Sequence, residues 1–283
     1  MNDSKGWQQK GYLAILTEPD ACDSPERIEE TRLAFERILA PQREYQETSN
    51  STIPSLDPNI LISIRVEQPA DVDPKTFRQR LTHLTSSIVA LKRTQSTFEK
   101  VWVVVNDNVE AALEAGADGV HVKERNVHTI PTIRKSHFEK IQNDGGSSAG
   151  GPLLIGTSVH DVDSALDTWR KYQPNYFFVG TCFVTQTHPE KEQGDLEGPS
   201  LPGQVKSSIE EQFNALMGDQ SCSLESQSLT MPKVFAIGGI NVDNCRVPIQ
   251  FGADGVAMIR AVMRAPAPRE MVQLISEKML LLS

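Results

Sequence analysis

Polar side chains with a capacity for binding or catalysis follow the short apolar runs of this chain. Arginine binds phosphate through several N–H groups, and hydroxyl and amide groups form hydrogen bonds to phosphates or polar rings. A carboxylate beside an amide oxygen can ligate a hard cation such as Mg²⁺. These residue types indicate a site for a small phosphorylated molecule. In chain order the candidates are Arg65, Asn106, Asp107, Ser158, Thr185, Thr187, His188 and Arg260.

The pair Gly238-Gly239 is the most informative feature of the sequence. Two glycines after an apolar run let backbone N–H groups approach an oxyanion, and a helix expected to open near Asn241 would add its positive end. A tight turn that requires positive φ would also explain the pair. Because Ile259 and Arg260 follow the next apolar run, we favour a phosphate site at these loops.

Several of the candidate residues have simpler structural roles as alternatives. Asp107 can cap the helix that follows it, which is the simpler interpretation from the residues alone. His121 lies inside an apolar run and His160 opens a helix, so we interpret both as hydrogen-bonded structural residues. His188 shares a loop with Thr185 and is the better acid/base or ligand candidate.

The apolar runs alternate with helical patterns, and there are eight of each. This alternation predicts right-handed βαβ units with a parallel sheet, and eight units close into a TIM barrel whose active site lies at the strand carboxyl ends. The predicted fold class is α/β, a single (β/α)₈ TIM-barrel domain over residues 11–283 after a polar extension, residues 1–10. The predicted helices include Val127–Ile141, Val242–Phe251 and Arg269–Leu282.

A short internal repeat supports this count of units. Residues 115–120, Ala-Gly-Ala-Asp-Gly-Val, recur as Phe-Gly-Ala-Asp-Gly-Val at residues 251–256. Each copy ends a predicted helix and begins a strand, in units four and eight. We favour a barrel of two half-barrels, although a shared local turn chemistry, with Gly as the left-handed helix cap, would explain the repeat as well.

Length and composition place limits on the class of protein. The chain has 283 residues, more than the roughly 250 of a TIM barrel. We interpret three Ser-, Gly- or Pro-rich stretches as loop insertions that precede strands and lie away from the active face. They are residues 41–58, 142–152 and 218–232. The net charge of −9 argues against non-specific nucleic-acid binding. No run approaches the roughly 18 apolar residues of a membrane span. The four cysteines lack metal-site spacing, and a disulfide framework is not expected in a chain of this length. We therefore expect a soluble intracellular protein, cytoplasmic by default, with an organelle as the alternative. A homo-oligomer is the further partner that we list.

Four motifs, in order, resemble the thiamine phosphate synthase/TenI superfamily. They are residues 106–113 leading into 116–122, residues 155–160, residues 236–241 and residues 252–259. The resemblance runs from about Tyr12 to Ala265 and implies the same barrel. Its synthases couple hydroxymethylpyrimidine diphosphate to thiazole phosphate and release pyrophosphate, so the implied partners are small phosphorylated pyrimidine and thiazole substrates.

The resemblance also implies a role for each candidate residue. Gly238, Gly239, Ile259 and Arg260 would hold the thiazole phosphate, with Thr185 and Thr187 beside it. Asn106 and Ser158 would contact the pyrimidine or its diphosphate, and Arg65 the pyrophosphate. The metal cofactor would be Mg²⁺. Its ligands would be Asp107 and Asn126.

Three departures from the synthase pattern fall in the diphosphate half of the site. Glu67 stands where the synthases have a lysine, Asn126 where they have a second metal-binding aspartate, and His188 where they have a lysine after the threonines. We list synthase activity first. The alternatives are a TenI-like thiazole phosphate tautomerase, with His188 in place of the histidine that family has at the position of Thr181, or a barrel that binds thiazole phosphate without catalysis.

Overall fold

The protein is a closed barrel of eight parallel strands in sequence order, β1 to β8. The computed structural model describes residues 11–40, 58–96, 98, 100–143, 152–185, 192–218 and 229–280. Tyr12 in β1 pairs with Asn59 of β2 on one side and with Gly255 of β8 on the other, which closes the barrel. The strands are β1 Tyr12–Leu16, β2 Asn59–Ile64, β3 Val101–Asn106, β4 Gly119–Val122, β5 Leu154–Val159, β6 Tyr176–Val179, β7 Lys233–Ile237 and β8 Gly255–Met258.

Nine α-helices surround the strands in the part of the chain that the structure describes. Two short 3₁₀ helices, Glu124–Thr129 and Gln193–Asp195, follow β4 and β6. The α-helices are α1 Pro25–Leu39, α2 Pro74–Gln95, α3 Val109–Ala115, α4 Ile130–Asn143, α5 Val162–Tyr172, α6 Leu201–Gly218, α7 Arg246–Gln250, α8 Arg260–Met263 and α9 Pro268–Leu280.

The single TIM barrel and its eight strands are confirmed, but the predicted helices Val127–Ile141 and Arg269–Leu282 need correction. The segment Val127–Ile141 begins as the 3₁₀ helix and becomes α-helical only at Ile130. The last predicted helix is preceded by α8, and α9 starts at Pro268 because Pro266 and Pro268 lack the N–H groups that a continuous helix needs. Residue 282, its predicted end, lies outside the described residues.

Apolar side chains fill both faces of the sheet. Along β1, Leu13 and Ile15 pack in the large core cluster that contains helix residues, whereas Tyr12, Ala14 and Leu16 belong to a second cluster formed by strand residues alone. This period of two is that of a strand with two buried faces. The second cluster fills the barrel with aromatic side chains, so the interior is a packed core and the strand ends are left for the site.

The repeated Ala-Asp-Gly turns tie neighbouring strands together. Asp118 accepts a hydrogen bond from the backbone N–H of Val103 at 2.7 Å and pairs with Lys92 at 2.6 Å. Asp254 accepts from Val234 N at 2.9 Å and pairs with Lys206 at 3.0 Å. The repeat therefore has the same physical role in units four and eight: each carboxylate satisfies an N–H group at the start of the preceding strand.

The predicted insertions fall largely on residues 41–57, 144–151 and 219–228, which lie outside the described residues. In chain order, each of these ranges stands between a helix and the next strand, as expected. Among the helices that the structure describes, none has both the length and the apolar character needed to cross a bilayer.

We expect Asp254→Ala to lower the free energy of unfolding by about 2 to 3 kcal/mol, because it leaves the Val234 N–H without its charged acceptor. The Asp254 side chain is only 11% exposed, and it also pairs with Lys206 and Lys233. Asp243→Ala is the matched control, because that side chain is 87% exposed and its loss should change stability by less than about 0.5 kcal/mol. Urea unfolding measures both, and equal losses would contradict the role assigned to the repeat.

Candidate functional site

A cavity of about 890 Å³ lies at the carboxyl ends of the strands. Leu16, Phe178, Ala257 and Met258 line its apolar part, and they come from the packed barrel interior or the strands around it. The predicted site residues in its lining are Arg65, Asn106, Ser158, Thr185, Gly238, Gly239, Ile259 and Arg260. Residues from six different strand ends thus meet in one space, as the barrel prediction requires.

The Gly238-Gly239 turn is a bare stretch of backbone on the cavity wall. Both residues have positive φ, 101° and 63°, a conformation that favours glycine. A Cβ atom on Gly239 would lie 2.4 Å from the carbonyl oxygen of Val184, and one on Gly238 would lie 2.6 Å from Cγ2 of Thr181. Conformation and space therefore both require glycine here, and the backbone remains open to an anion.

The helix expected to open near Asn241 is not there. The side-chain oxygen of Asn241 accepts hydrogen bonds from the N–H groups of Asp243 at 2.8 Å and Asn244 at 3.3 Å, which holds a turn instead. Helix α7 begins only at Arg246. An anion at the Gly238-Gly239 turn would therefore depend on the turn itself and on Arg260, which also lines the cavity.

Positive charge is concentrated in the cavity although the chain as a whole carries −9. Among the described lining residues, Glu124 is the one carboxylate, against five Lys and Arg residues. Burial lowers the pKa of Arg65, and the charge of Arg260 acts in the same direction. An anion between these two guanidinium groups would relieve their repulsion. The five cations are Arg65, Lys123, Arg125, Arg260 and Arg264.

Glu67 and Thr17 are the two neighbours of Arg65 that bear on its place in the site. Glu67, expected to oppose a diphosphate, is an exposed residue and is not part of the cavity lining. The backbone N–H of Arg65 donates to Thr17 Oγ1 at 2.9 Å, so the start of the loop is fixed. The Glu67 charge still acts on Arg65, where it opposes the decrease in pKa that burial causes.

Asn106 and Ser158 present polar groups to the cavity in defined orientations. Ser63 Oγ donates to Asn106 Oδ1 at 2.7 Å, which leaves the amide NH₂ of Asn106 available to a ligand. Ser158 Oγ lies 3.0 Å from His121 Nε2, and His121 Nδ1 lies 3.2 Å from the Tyr176 hydroxyl. His121 also stacks on a ring of the barrel interior, that of Phe178.

The His121 ring is buried and neutral. Burial lowers its pKa to about 3, because the charged imidazolium would lose its hydration. The interpretation of His121 as a hydrogen-bonded residue agrees with these contacts. The sequence did not indicate that it lines the cavity or that it orients Ser158, since its partners lie 37 and 55 residues away.

The structure also brings together a histidine and a carboxylate that sequence reasoning missed. His160 lines the cavity, and its Nδ1 lies 2.5 Å from the Gly180 carbonyl oxygen and 3.3 Å from Glu197 Oε1. Glu197 Oε2 in turn accepts from the Thr181 N–H at 2.6 Å. A histidine that donates from Nδ1 keeps Nε2 as its acceptor, so His160 has the arrangement of an acid/base group.

The residues implied as magnesium ligands do not form a donor set that fits the ion. Both carboxylate oxygens of Asp107 are engaged by Lys123, Oδ1 by the backbone N–H at 2.9 Å and Oδ2 by the ammonium at 3.0 Å. Neither Asp107 nor Asn126 lines the cavity, and Asn126 uses its backbone groups in the 3₁₀ helix after β4. Among the described residues, no three His, Cys, Asp or Glu side chains gather as a metal group would require.

Two further candidates, Thr187 and His188, lie outside the described residues. Thr185, just before them, lines the cavity. Cys182 is buried in this same loop, and burial raises the pKa of its thiol to about 12. A thiol in this state is a poor nucleophile.

The fold and the site can now be compared with known proteins. A family model described as thiamine monophosphate synthase, TMP-TENI, matches residues 75–262 of this chain. The chain belongs to this family. The matched segment contains seven of the eight predicted site residues that line the cavity, all except Arg65. The segment that matches the family model therefore carries most of the residues that line the cavity.

Individual relatives in the thiamine monophosphate synthase family are moderately similar. A thiamine-phosphate synthase of Geobacillus thermodenitrificans is 30% identical over 166 residues, 59% of this chain and 58% of that protein. One of Methanosarcina mazei is 31% identical over 160 residues, 56% of this chain and 51% of that protein. The chain thus matches less than two thirds of the length of either relative.

A solved structure of similar fold is the thiamine phosphate pyrophosphorylase from Pyrococcus furiosus. It superposes with a TM-score of 0.59 at 21% identity and covers 95% of each chain. At this level of identity the likeness shows a shared barrel fold. It extends the similarity beyond the segment matched by sequence to nearly the whole chain.

We expect the buried neutral His121 to make stability depend on pH. In the unfolded chain this histidine binds a proton below about pH 6.5, whereas in the folded protein its pKa is about 3. The free energy of unfolding is therefore unaffected by His121 protonation above about pH 6.5 and decreases as the pH falls toward 3. Between pH 7 and pH 5 we expect this histidine to lower the free energy of unfolding by about 2 kcal/mol.

His121→Gln tests this expectation because glutamine does not titrate. The free energy of unfolding in urea, measured at pH 7 and pH 5, should fall less for the variant than for the parent protein. Other titrating groups are common to both proteins and cancel in this comparison. The same decrease in both would mean that His121 is not held neutral by the fold.

Proposed function

We propose that this chain is a thiamine phosphate synthase, which couples hydroxymethylpyrimidine diphosphate to thiazole phosphate and releases pyrophosphate. The observation that carries the proposal is the presence of two cationic regions in one cavity. One consists of the Gly238-Gly239 turn with Arg260, and the other contains Lys123 and Arg125. A reaction between two phosphorylated substrates needs two anion sites that share a single space.

The thiazole phosphate is assigned to the Gly238-Gly239 turn. The open backbone of the turn can donate hydrogen bonds to phosphate oxygens, and the Arg260 guanidinium supplies charge and further N–H donors. Ile259 and Thr185 also line this part of the cavity. The resemblance to the family assigns the same role to Thr187.

The pyrimidine diphosphate is assigned to the part of the cavity around Lys123, which follows β4 and so stands four strands from β8 and Arg260 in the closed barrel. The free NH₂ group of Asn106 and the hydroxyl of Ser158 are placed to bind the ring or its first phosphate. Arg65, Lys123 and Arg125 supply three positive charges for the diphosphate. The neutral His121 holds Ser158 without adding charge beside the ring.

The proposed reaction breaks the C–O bond between the pyrimidine methylene carbon and the diphosphate and forms a C–N bond to the thiazole nitrogen. Negative charge develops on the departing pyrophosphate, so cations that are already in place lower the barrier. Holding the thiazole phosphate in the same cavity places its nitrogen next to the electron-poor carbon. His188 stands where the synthases carry a lysine.

A second candidate function is tautomerisation of thiazole phosphate. The observation that favours it is the contact of His160 with Gly180 and Glu197, at the end of β6 where that branch of the superfamily places its histidine. In this reaction His160 would take the acid/base role that the sequence suggested for His188. The phosphate turn would be used in the same way.

A direct assay distinguishes these functions. We expect purified protein, mixed with both substrates, to release one pyrophosphate for each thiamine phosphate formed. If no pyrophosphate is released at high protein concentration, the synthase proposal is wrong. Isomerisation of thiazole phosphate that is lost in His160→Gln would then support the tautomerase, and binding of thiazole phosphate without turnover would support a binding barrel.

We also expect Arg260→Met to raise the KM for thiazole phosphate by about tenfold or more, because it removes a charge-assisted contact. The matched control is Arg170→Met on α5, an exposed arginine outside the cavity. Steady-state kinetics with thiazole phosphate as the varied substrate provide the measurement. An unchanged KM in Arg260→Met would remove this residue from the phosphate site.

A further inference from the structure

We propose that Lys123 takes the place of a divalent cation in the diphosphate site, so that this protein binds pyrophosphate without metal. The inference rests on the proposed function for the assignment of the site. It begins from the disagreement between the implied magnesium ligands and the contacts that those residues make. The position that a metal ion would occupy on the Asp107 carboxylate is taken by an ammonium group.

The ion pair between Asp107 and Lys123 is built into the ends of two neighbouring strands. Asp107 follows β3, and its backbone N–H donates to the carbonyl oxygen of His121 in β4 at 2.9 Å. Its φ of 51° is positive, a conformation that aspartate tolerates better than most residues. The Lys123 backbone N–H then donates to Oδ1 and its Nζ to Oδ2. Asp107 is thus a positioning residue for Lys123.

The ammonium group retains capacity for a phosphate. A lysine side chain has three N–H donors, and one is directed to Asp107 at 3.0 Å. The side chain is 49% exposed and lines the cavity. Two donors remain for pyrophosphate oxygens, which is the contact that a metal ion would otherwise provide by coordination.

The surrounding charges favour a monovalent cation over a divalent one. Arg125 and Arg65 also line the cavity, and with Lys123 they give three positive charges to match a polyanion. A magnesium ion at Asp107 would be repelled by all three cations. Asn126, which could have supplied a second carboxylate, is a neutral amide outside the cavity lining.

Calorimetric titration with inorganic pyrophosphate tests the inference without relying on turnover. We expect binding in EDTA that is no weaker than binding in magnesium at the same ionic strength. Lys123→Met should weaken binding in EDTA by about tenfold or more, because a charge-assisted contact is lost. Lys123→Arg should retain most of the affinity, and circular dichroism confirms that the variants are folded.

The matched control is Lys135→Met on α4, a lysine that is 77% exposed and outside the cavity, which should leave pyrophosphate affinity unchanged. Pyrophosphate binding that requires magnesium, or a Lys123→Met protein with the parent's affinity in EDTA, would overturn the inference. Absence of binding under both conditions would also overturn it. The pyrophosphate-release assay tests the proposed function separately. If pyrophosphate release depends on magnesium, the synthase proposal is supported and the metal-free inference is wrong. If pyrophosphate binds without metal but is not released in the assay, the synthase proposal is wrong and the inference is supported.

Discussion

Closure of eight parallel strands around a packed interior is the constraint on which the site depends. Aromatic residues such as Tyr12, Phe178 and Phe235 fill the barrel, so ligand cannot enter it and the polar side chains collect at one rim. Parallel pairing all the way round puts every strand's carboxyl end on that rim. The Asp118 and Asp254 turns secure the opposite end, where they bind the starts of β3 and β7.

Positive charge is concentrated in the cavity of a protein that is acidic as a whole. The chain has an excess of nine negative charges, yet the cavity gathers arginines and a lysine around a glycine turn. The low dielectric of a partly buried site strengthens the electric field of these cations. Burial also disfavours the charged form of Arg65, which lowers its pKa. A binding site for two phosphorylated molecules accounts for this cost, since their anions compensate the crowded guanidinium groups.

The sequence was sufficient for the barrel because its strands are buried on both faces and therefore appear as continuous apolar runs. The bounds of β1, β4, β6 and β7 follow directly from such runs. The positive φ of Gly238 agrees with the tight turn that was the alternative explanation for the glycine pair. The predicted start of the helix at Val242 was wrong, and α7 begins at Arg246. Asn241 and Asn244 accept hydrogen bonds from each other's backbone N–H groups, a contact that hydrophobic periodicity does not report.

The site was less accessible to sequence reasoning because its decisive contacts join distant residues. His121 and Ser158, His160 and Glu197, and Asp107 and Lys123 are each separated by at least 16 residues. The residue types alone indicated binding or catalytic roles, but the contacts between distant residues changed which role each residue has. Asp107 in particular is bound to a lysine where a metal ion was expected. His160 has the arrangement of an acid/base group, a role that the sequence suggested only for His188.

The most direct test of the account is a crystal structure of the protein with thiazole phosphate and pyrophosphate bound together. The proposed function requires two anions in the one cavity, the thiazole phosphate against Gly238, Gly239 and Arg260, and the pyrophosphate among Arg65, Lys123 and Arg125. Pyrophosphate bound elsewhere on the protein, or a cavity that admits only one of the two anions at a time, would contradict it.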